Sequence, residues 1–79
     1  MPTILLLNGF RFFFYSNENN EPIHVHIEKG SAEAKIWLEP TIEIAYMFEF
    51  NNKETKEIMD IVAINYEQFK SKWNEFFNK

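Results

Sequence analysis

The chain has 79 residues, a net charge of −4 and no cysteine. That length supplies one hydrophobic core and excludes a second domain. The charge argues against bulk binding to DNA, RNA or an anionic membrane, which needs clustered Lys and Arg. The missing cysteine removes disulfides, thiolate metal sites and a thiol nucleophile, and points to a reducing compartment.

Hydrophobic residues make up 46% of the chain and nine residues are Phe, enough for a core without a disulfide or structural metal, so no cofactor is expected. The acidity is uneven. Residues 1–50 hold Arg11, Lys29 and Lys35 against seven Glu, whereas residues 51–79 carry five charges of each sign. The start, Met1 to Leu7, has no basic residue ahead of its short apolar run, a pattern of neither a signal peptide nor a membrane span, so a cytoplasmic protein is expected.

Pro2–Leu7 and Phe10–Tyr15 flank Asn8-Gly9, the dipeptide suited to the two positive φ values of a type I′ hairpin turn. A two-residue loop sets Leu7 opposite Phe10 and Leu5 opposite Phe12. Ser16–Pro22 is rich in Ser, Asn and Glu and reads as a surface loop. Ile23–Glu28 then alternates, with Val25 and Ile27 on one face and His24, His26 and Glu28 on the other.

Gly30-Ser31 turns the chain back into Ala32–Leu38, which places Lys35 opposite His26 and Trp37 opposite His24. After Pro40, Ile42, Ile44, Tyr46, Phe48 and Phe50 alternate with Glu43, Ala45, Met47 and Glu49 as a further strand. Asn51 and Glu54 form a capping-box pattern, followed by Ile58, Ile61, Val62, Asn65, Tyr66, Phe69, Trp73, Phe76 and Phe77 at helical spacing. With no later Gly or Pro, that helix could run, straight or bent, to about residue 77, roughly 38 Å, and extend past the sheet toward a partner. The fold class is α+β: an antiparallel, hairpin-rich sheet of about four to five strands over roughly residues 2–50, packed against one long C-terminal amphipathic helix over about 52–77.

His24 and His26 are the chemically suggestive pair. Two residues apart on a strand, their imidazoles point the same way, about 6.5 to 7 Å apart at Cα. Imidazole titrates near neutral pH, so such a pair can act as acid and base in phosphodiester cleavage, with Lys35 and Arg11 holding the phosphate. The plainer reading is that these side chains are solvated on a polar sheet face. Metal binding through His24, His26 and Glu28 suits the donor types, but parallel side chains converge poorly and Lys35 repels a cation, so no metal is expected. A free Pro2 amine is a further, weaker candidate base.

Phe13, Tyr15 and Trp37 share the histidine face, where large aromatics would anchor a partner or stack on RNA bases. Coverage by the chain's own loop or helix end is the bland alternative. Trp73, Phe76 and Phe77 need only core packing.

Met1-Pro2-Thr3-Ile4, Gly9 to Ser16, Pro22-Ile23-His24-Val25-His26, Ala34 to Leu38 and Trp73 to Phe77 together resemble a prokaryotic family of domains of unknown function, family 4160. The resemblance covers nearly the whole chain. It implies no established activity, and it implies a small protein often encoded beside another in a toxin–antitoxin-like arrangement. The family's Pro-His-Val-His motif falls on His24 and His26, and its Arg, Lys and Trp positions on Arg11, Lys35 and Trp37. Two departures stand out: Ile23 where many members have Pro, and Glu49 where many have Gly, which implies a more extended approach to the helix.

The leading expectation is a small interaction module whose histidine-bearing aromatic face, including Phe13, Tyr15, Glu28 and Trp37, meets a small partner protein or a second copy. The alternative is a metal-independent ribonuclease or phosphoesterase using His24, His26, Lys35 and Arg11.

Overall fold

A computed structural model of the chain describes residues 3–15 and 20–77. Pro2 and residues 16–19, the first part of the Ser16–Pro22 loop, lie outside the described residues. Asn8 and Gly9 stand at φ 55° and 86°, the left-handed pair that a type I′ turn requires. They join β1 (Thr3–Leu7) to β2 (Phe10–Phe13), with Leu7 opposite Phe10 and Leu5 opposite Phe12. A side chain at Gly9 would also press on Lys29, whose Cε lies 3.3 Å from the position of a Cβ.

β3 (His24–Lys29), β4 (Ala32–Trp37) and β5 (Glu43–Phe48) complete an antiparallel sheet in the order β1-β2-β3-β4-β5. Gly30, at φ 60°, fills the first central position of a type II′ turn between β3 and β4. The histidine register is the one expected: His24 opposite Trp37 and His26 opposite Lys35.

β5 departs from simple alternation. Ile44 lies opposite Ile36 and Tyr46 opposite Lys35, which leaves Ala45 as an extra residue. Such a bulge sends everything after it to the other face. The residues that alternate in the sequence are thereby split: Ile42 before the bulge and Met47 after it pack against the core, whereas Tyr46 and Phe48 lie opposite Lys35 and Glu33 on the second face, and Phe50 returns to the core beyond Glu49.

Glu49 corrects a second expectation. Its φ is 63°, so the backbone here is left-handed rather than extended, at a residue that has a Cβ. Ser31 Oγ donates to Glu49 Oε1 at 3.1 Å. Because a non-glycine residue is disfavoured there by about 1–2 kcal/mol, Glu49→Gly is expected to raise stability by about 1 kcal/mol in urea unfolding. A destabilised variant would show that the hydroxyl contact outweighs the backbone strain.

The helical segment is two helices, α1 (Asn52–Ile64) and α2 (Tyr66–Phe77). Asn51 caps α1 through the expected box: Glu54 N–H donates to Asn51 Oδ1 at 2.7 Å, and Asn51 N–H donates to Glu54 Oε1 at 3.2 Å. Asn65 ends it. Its backbone N–H and its Nδ2 both donate to the Ile61 carbonyl, at 3.0 and 2.9 Å, while its own carbonyl accepts from Phe69 N–H at 2.8 Å. A straight helix of about 38 Å would outrun a fold whose longest extent is 34 Å; the break at Asn65 keeps Phe69 and Trp73 on the core instead.

Phe10, Phe12 and Phe14 from the first hairpin, with Val25, Ile27 and Ile36, meet Ile58, Val62, Phe69 and Trp73 of the helices in the main core. Each fully buried side chain of this size contributes about 1.5–3 kcal/mol. Polar ties fix the helices in register. Asn8 Nδ2 donates to Glu57 at 3.0 Å and Lys29 to Glu54 at 3.4 Å, while Tyr66 Oη donates to the Leu38 carbonyl at 2.9 Å. The Glu39 carboxylate, 2.8 Å from Lys70 Nζ, raises the Lys70 ammonium above its ordinary value. Among the described residues no helix is long and apolar enough to cross a membrane.

Candidate functional site

The strand register arranges the second face of the sheet in rows. One runs Thr3, Phe13, His26, Lys35, Tyr46; the next runs Leu6, Arg11, Glu28, Glu33, Phe48; a third joins His24, Trp37 and Glu43. The fold therefore brings His24, His26, Lys35, Arg11, Phe13, Glu28 and Trp37 onto one surface, and Tyr15 joins them through its ring contacts.

The histidines are not a solvated pair. His24 is 0% and His26 2% exposed, and Phe13 beside them is 0% exposed. His26 stacks on Phe13 with ring centroids 5.5 Å apart and takes the edge of Tyr15 at 4.5 Å. The two imidazoles meet edge to face at 5.0 Å. His24 is also flanked by Trp37 at 5.3 Å and by Trp73 of α2 at 5.0 Å. Such aromatic contacts each add about 0.5–1.5 kcal/mol beyond area burial. His24 Nδ1 lies 2.8 Å from the Pro22 carbonyl; a carbonyl only accepts, so the Nδ1 proton points there and the ring orientation is fixed.

The cations of this face are likewise engaged. Arg11 pairs with Glu28 at 2.6 Å, donates from Nε to Thr3 Oγ1 at 2.8 Å and lies 4.3 Å over the Phe13 ring. Lys35 pairs with Glu21 at 2.9 Å and lies 4.4 Å over Trp37. For acid–base work an imidazole nitrogen must come within about 3 Å of the reacting atom. Here a substrate would first have to displace the rings that cover both imidazoles. Glu28, the third member of the sequence row, is turned to Arg11. Among the described residues no group of three His, Asp or Glu stands where it could hold a metal ion.

A cavity of about 270 Å³ lies elsewhere, between Thr3 and Ile4 of β1 and Lys72, Glu75 and Phe76 of α2. Four features of the site escape sequence reasoning: Glu21 on Lys35, Thr3 on Arg11, Trp73 against His24, and the emergence of Tyr46 and Phe48 on this face. The first two are single polar residues without periodicity. Trp73 carries a helical-stripe signal that assigns it to the core without naming its neighbour, and the bulge at Ala45 leaves no mark in the pattern.

A family described as "Domain of unknown function (DUF4160)" matches residues 9–74 of the chain, well over half of it. The chain belongs to that family. No curated protein and no solved structure matches it. The matched span of this DUF4160 chain takes in both histidines, Arg11, Lys35 and Trp37, and leaves the Met1–Ile4 start and the Phe76-Phe77 pair outside.

Proposed function

We propose that this DUF4160 domain is a protein-interaction module that docks a partner on the β5 edge of its sheet and on the aromatic residues beside that edge. One observation carries the reading: β5 pairs with β4 on one side only, yet Ile44, Tyr46 and Phe48 of this edge strand are 46%, 42% and 57% exposed. Sheet edges are normally blunted by charge, because their open backbone groups template pairing with other chains. An edge dressed in apolar side chains is instead a contact surface.

The backbone supports the same reading. In the β3–β4 hairpin the Leu38 N–H donates to the Ile23 carbonyl at 2.8 Å. By the alternation of an antiparallel ladder, Glu33 and Lys35 then bond toward β5, opposite Phe48 and Tyr46. Met47, between them, turns its N–H and C=O outward to a docking strand.

The histidine layer lies on the same face as Tyr46 and Phe48, two strands in from this edge. Phe13, His24 and His26 are buried in that face, while Tyr15, Glu28, Lys35 and Trp37 form the part of it a partner can also touch. A small partner protein, as in a toxin–antitoxin-like pair, suits such a module. The hydrolase reading rests on His24 and His26 with Lys35 and Arg11 beside them; the burial of both rings and the ion pairs of both cations weigh against it.

Two variants test the proposal. Phe48→Ser removes an exposed ring and Met47→Pro removes an outward N–H, so both are expected to stay folded by circular dichroism. Each is expected to weaken binding of the purified partner by about tenfold or more in calorimetric titration. Unchanged binding in both would move the contact away from β5.

A further inference from the structure

Resting on that reading, we infer that the occupant of the β5 edge is an extended segment of a partner protein in which Lys or Arg alternates with apolar residues. The charges around the edge carry this. Each cation of the sheet already has a carboxylate: Arg11 has Glu28, Lys29 has Glu54 and Lys35 has Glu21. The acids at the β4–β5 side, Glu33, Glu43 and Glu49, pair with no cation among the described residues. Among the described residues Glu43 and Glu49 accept side-chain hydrogen bonds from the Thr41 and Ser31 hydroxyls, both at 3.1 Å.

Glu33 also lies directly opposite Glu28. Like charges at opposed positions of a sheet repel, and Arg11 offsets only Glu28. A cation arriving from beyond β5 would offset the other.

The pattern such a segment must follow is set by the bulge. Docked along β5, alternate residues of the new strand fall beside Tyr46 and Phe48 on the second face, within reach of Glu33 and Glu43. There a Lys or Arg meets a ring and a carboxylate together. The same face already uses this device twice, with Arg11 4.3 Å over Phe13 and Lys35 4.4 Å over Trp37, each cation two residues before its ring. The intervening residues fall beside Met47 and Ile44, where apolar side chains extend the core. A second copy is the poorer occupant, because it would bring Glu33, Glu43 and Glu49 toward their own counterparts on a chain of net charge −4.

The test uses the full chain labelled with nitrogen-15 and titrated with short blocked peptides. A peptide of alternating Lys and Val is expected to shift and protect the amides of residues 43–48, with no comparable effect from a peptide of alternating Glu and Val. The double variant Glu33→Gln/Glu43→Gln is expected to bind the Lys-Val peptide about fivefold more weakly, the scale of two surface charge pairs. Equal binding of the Glu-Val peptide, of a block peptide with Lys and Val unalternated, or of the double variant would overturn the inference while leaving β5 a docking edge. A concentration-dependent dimer protected at β5 would give the edge to a second copy. If no strand of any kind engages β5, the interaction reading fails with the inference.

Discussion

Trp73→Ala is expected to cost about 3–5 kcal/mol of stability, the range for removing a buried large aromatic, and to lower the melting temperature by more than 10 °C, since a domain of this size loses about 4–8 °C per kcal/mol. Trp73 is 3% exposed and touches both the main core and the histidine layer. It meets Phe14 of the main core at 5.2 Å, Phe77 at 4.3 Å and His24 at 5.0 Å. Its loss should therefore release α2 before the sheet, with faster amide exchange across residues 66–77 than across β2 and β3. A uniform loss of protection would mean that the sheet depends on α2 as strongly as α2 depends on the sheet. An unchanged melting temperature would contradict the packing described for Trp73.

His24, one of the two candidate acid–base histidines, is expected to be a packing element. His24→Ala should cost about 2–4 kcal/mol, because it opens a cavity among Trp37, Trp73 and His26 and leaves the Pro22 carbonyl without its donor. His24→Phe keeps a ring of similar size and loses the hydrogen bond alone, so about 1 kcal/mol is expected. Urea unfolding of both variants separates a packing role from an exposed one. If His24→Ala and His24→Phe are both within about 0.5 kcal/mol of the wild type, as surface substitutions are, the ring is not a packing element and the hydrolase reading regains ground.

Much of the fold was legible because short-range rules decide it. Asn8-Gly9 can serve almost only as a tight hairpin turn, and the period of two in His24–Glu28 and Ala32–Leu38 fixes both register and facing. The pairs His24–Trp37 and His26–Lys35 follow from the Gly30-Ser31 turn by counting. Whether the helix is straight or bent stays open in the sequence, because Asn65 sits on the apolar stripe and nothing local decides it; the break there goes with Phe69 and Trp73 reaching the core. The bulge at Ala45 is a comparable case. Alternation is a local pattern, and an extra residue that reverses it is set by pairing with β4.

The site was half legible for the same reason. Pattern placed His24, His26, Arg11, Lys35 and Trp37 on one face. Whether that face meets water depends on Tyr15, Glu21 and Trp73, which arrive from a strand end, a loop and a distant helix. Glu49 shows the converse: a residue with a Cβ holds a left-handed backbone at φ 63°, which its identity does not announce.

The most direct measurement is hydrogen–deuterium exchange on the purified domain with and without its purified partner. The β5 docking proposal calls for new protection concentrated in residues 43–48, at the outward Met47 amide above all, with β3 already protected in the free domain and little changed. Protection that appears instead over residues 20–26 and Tyr15, with β5 still exchanging freely, would place the contact on the histidine face and contradict it.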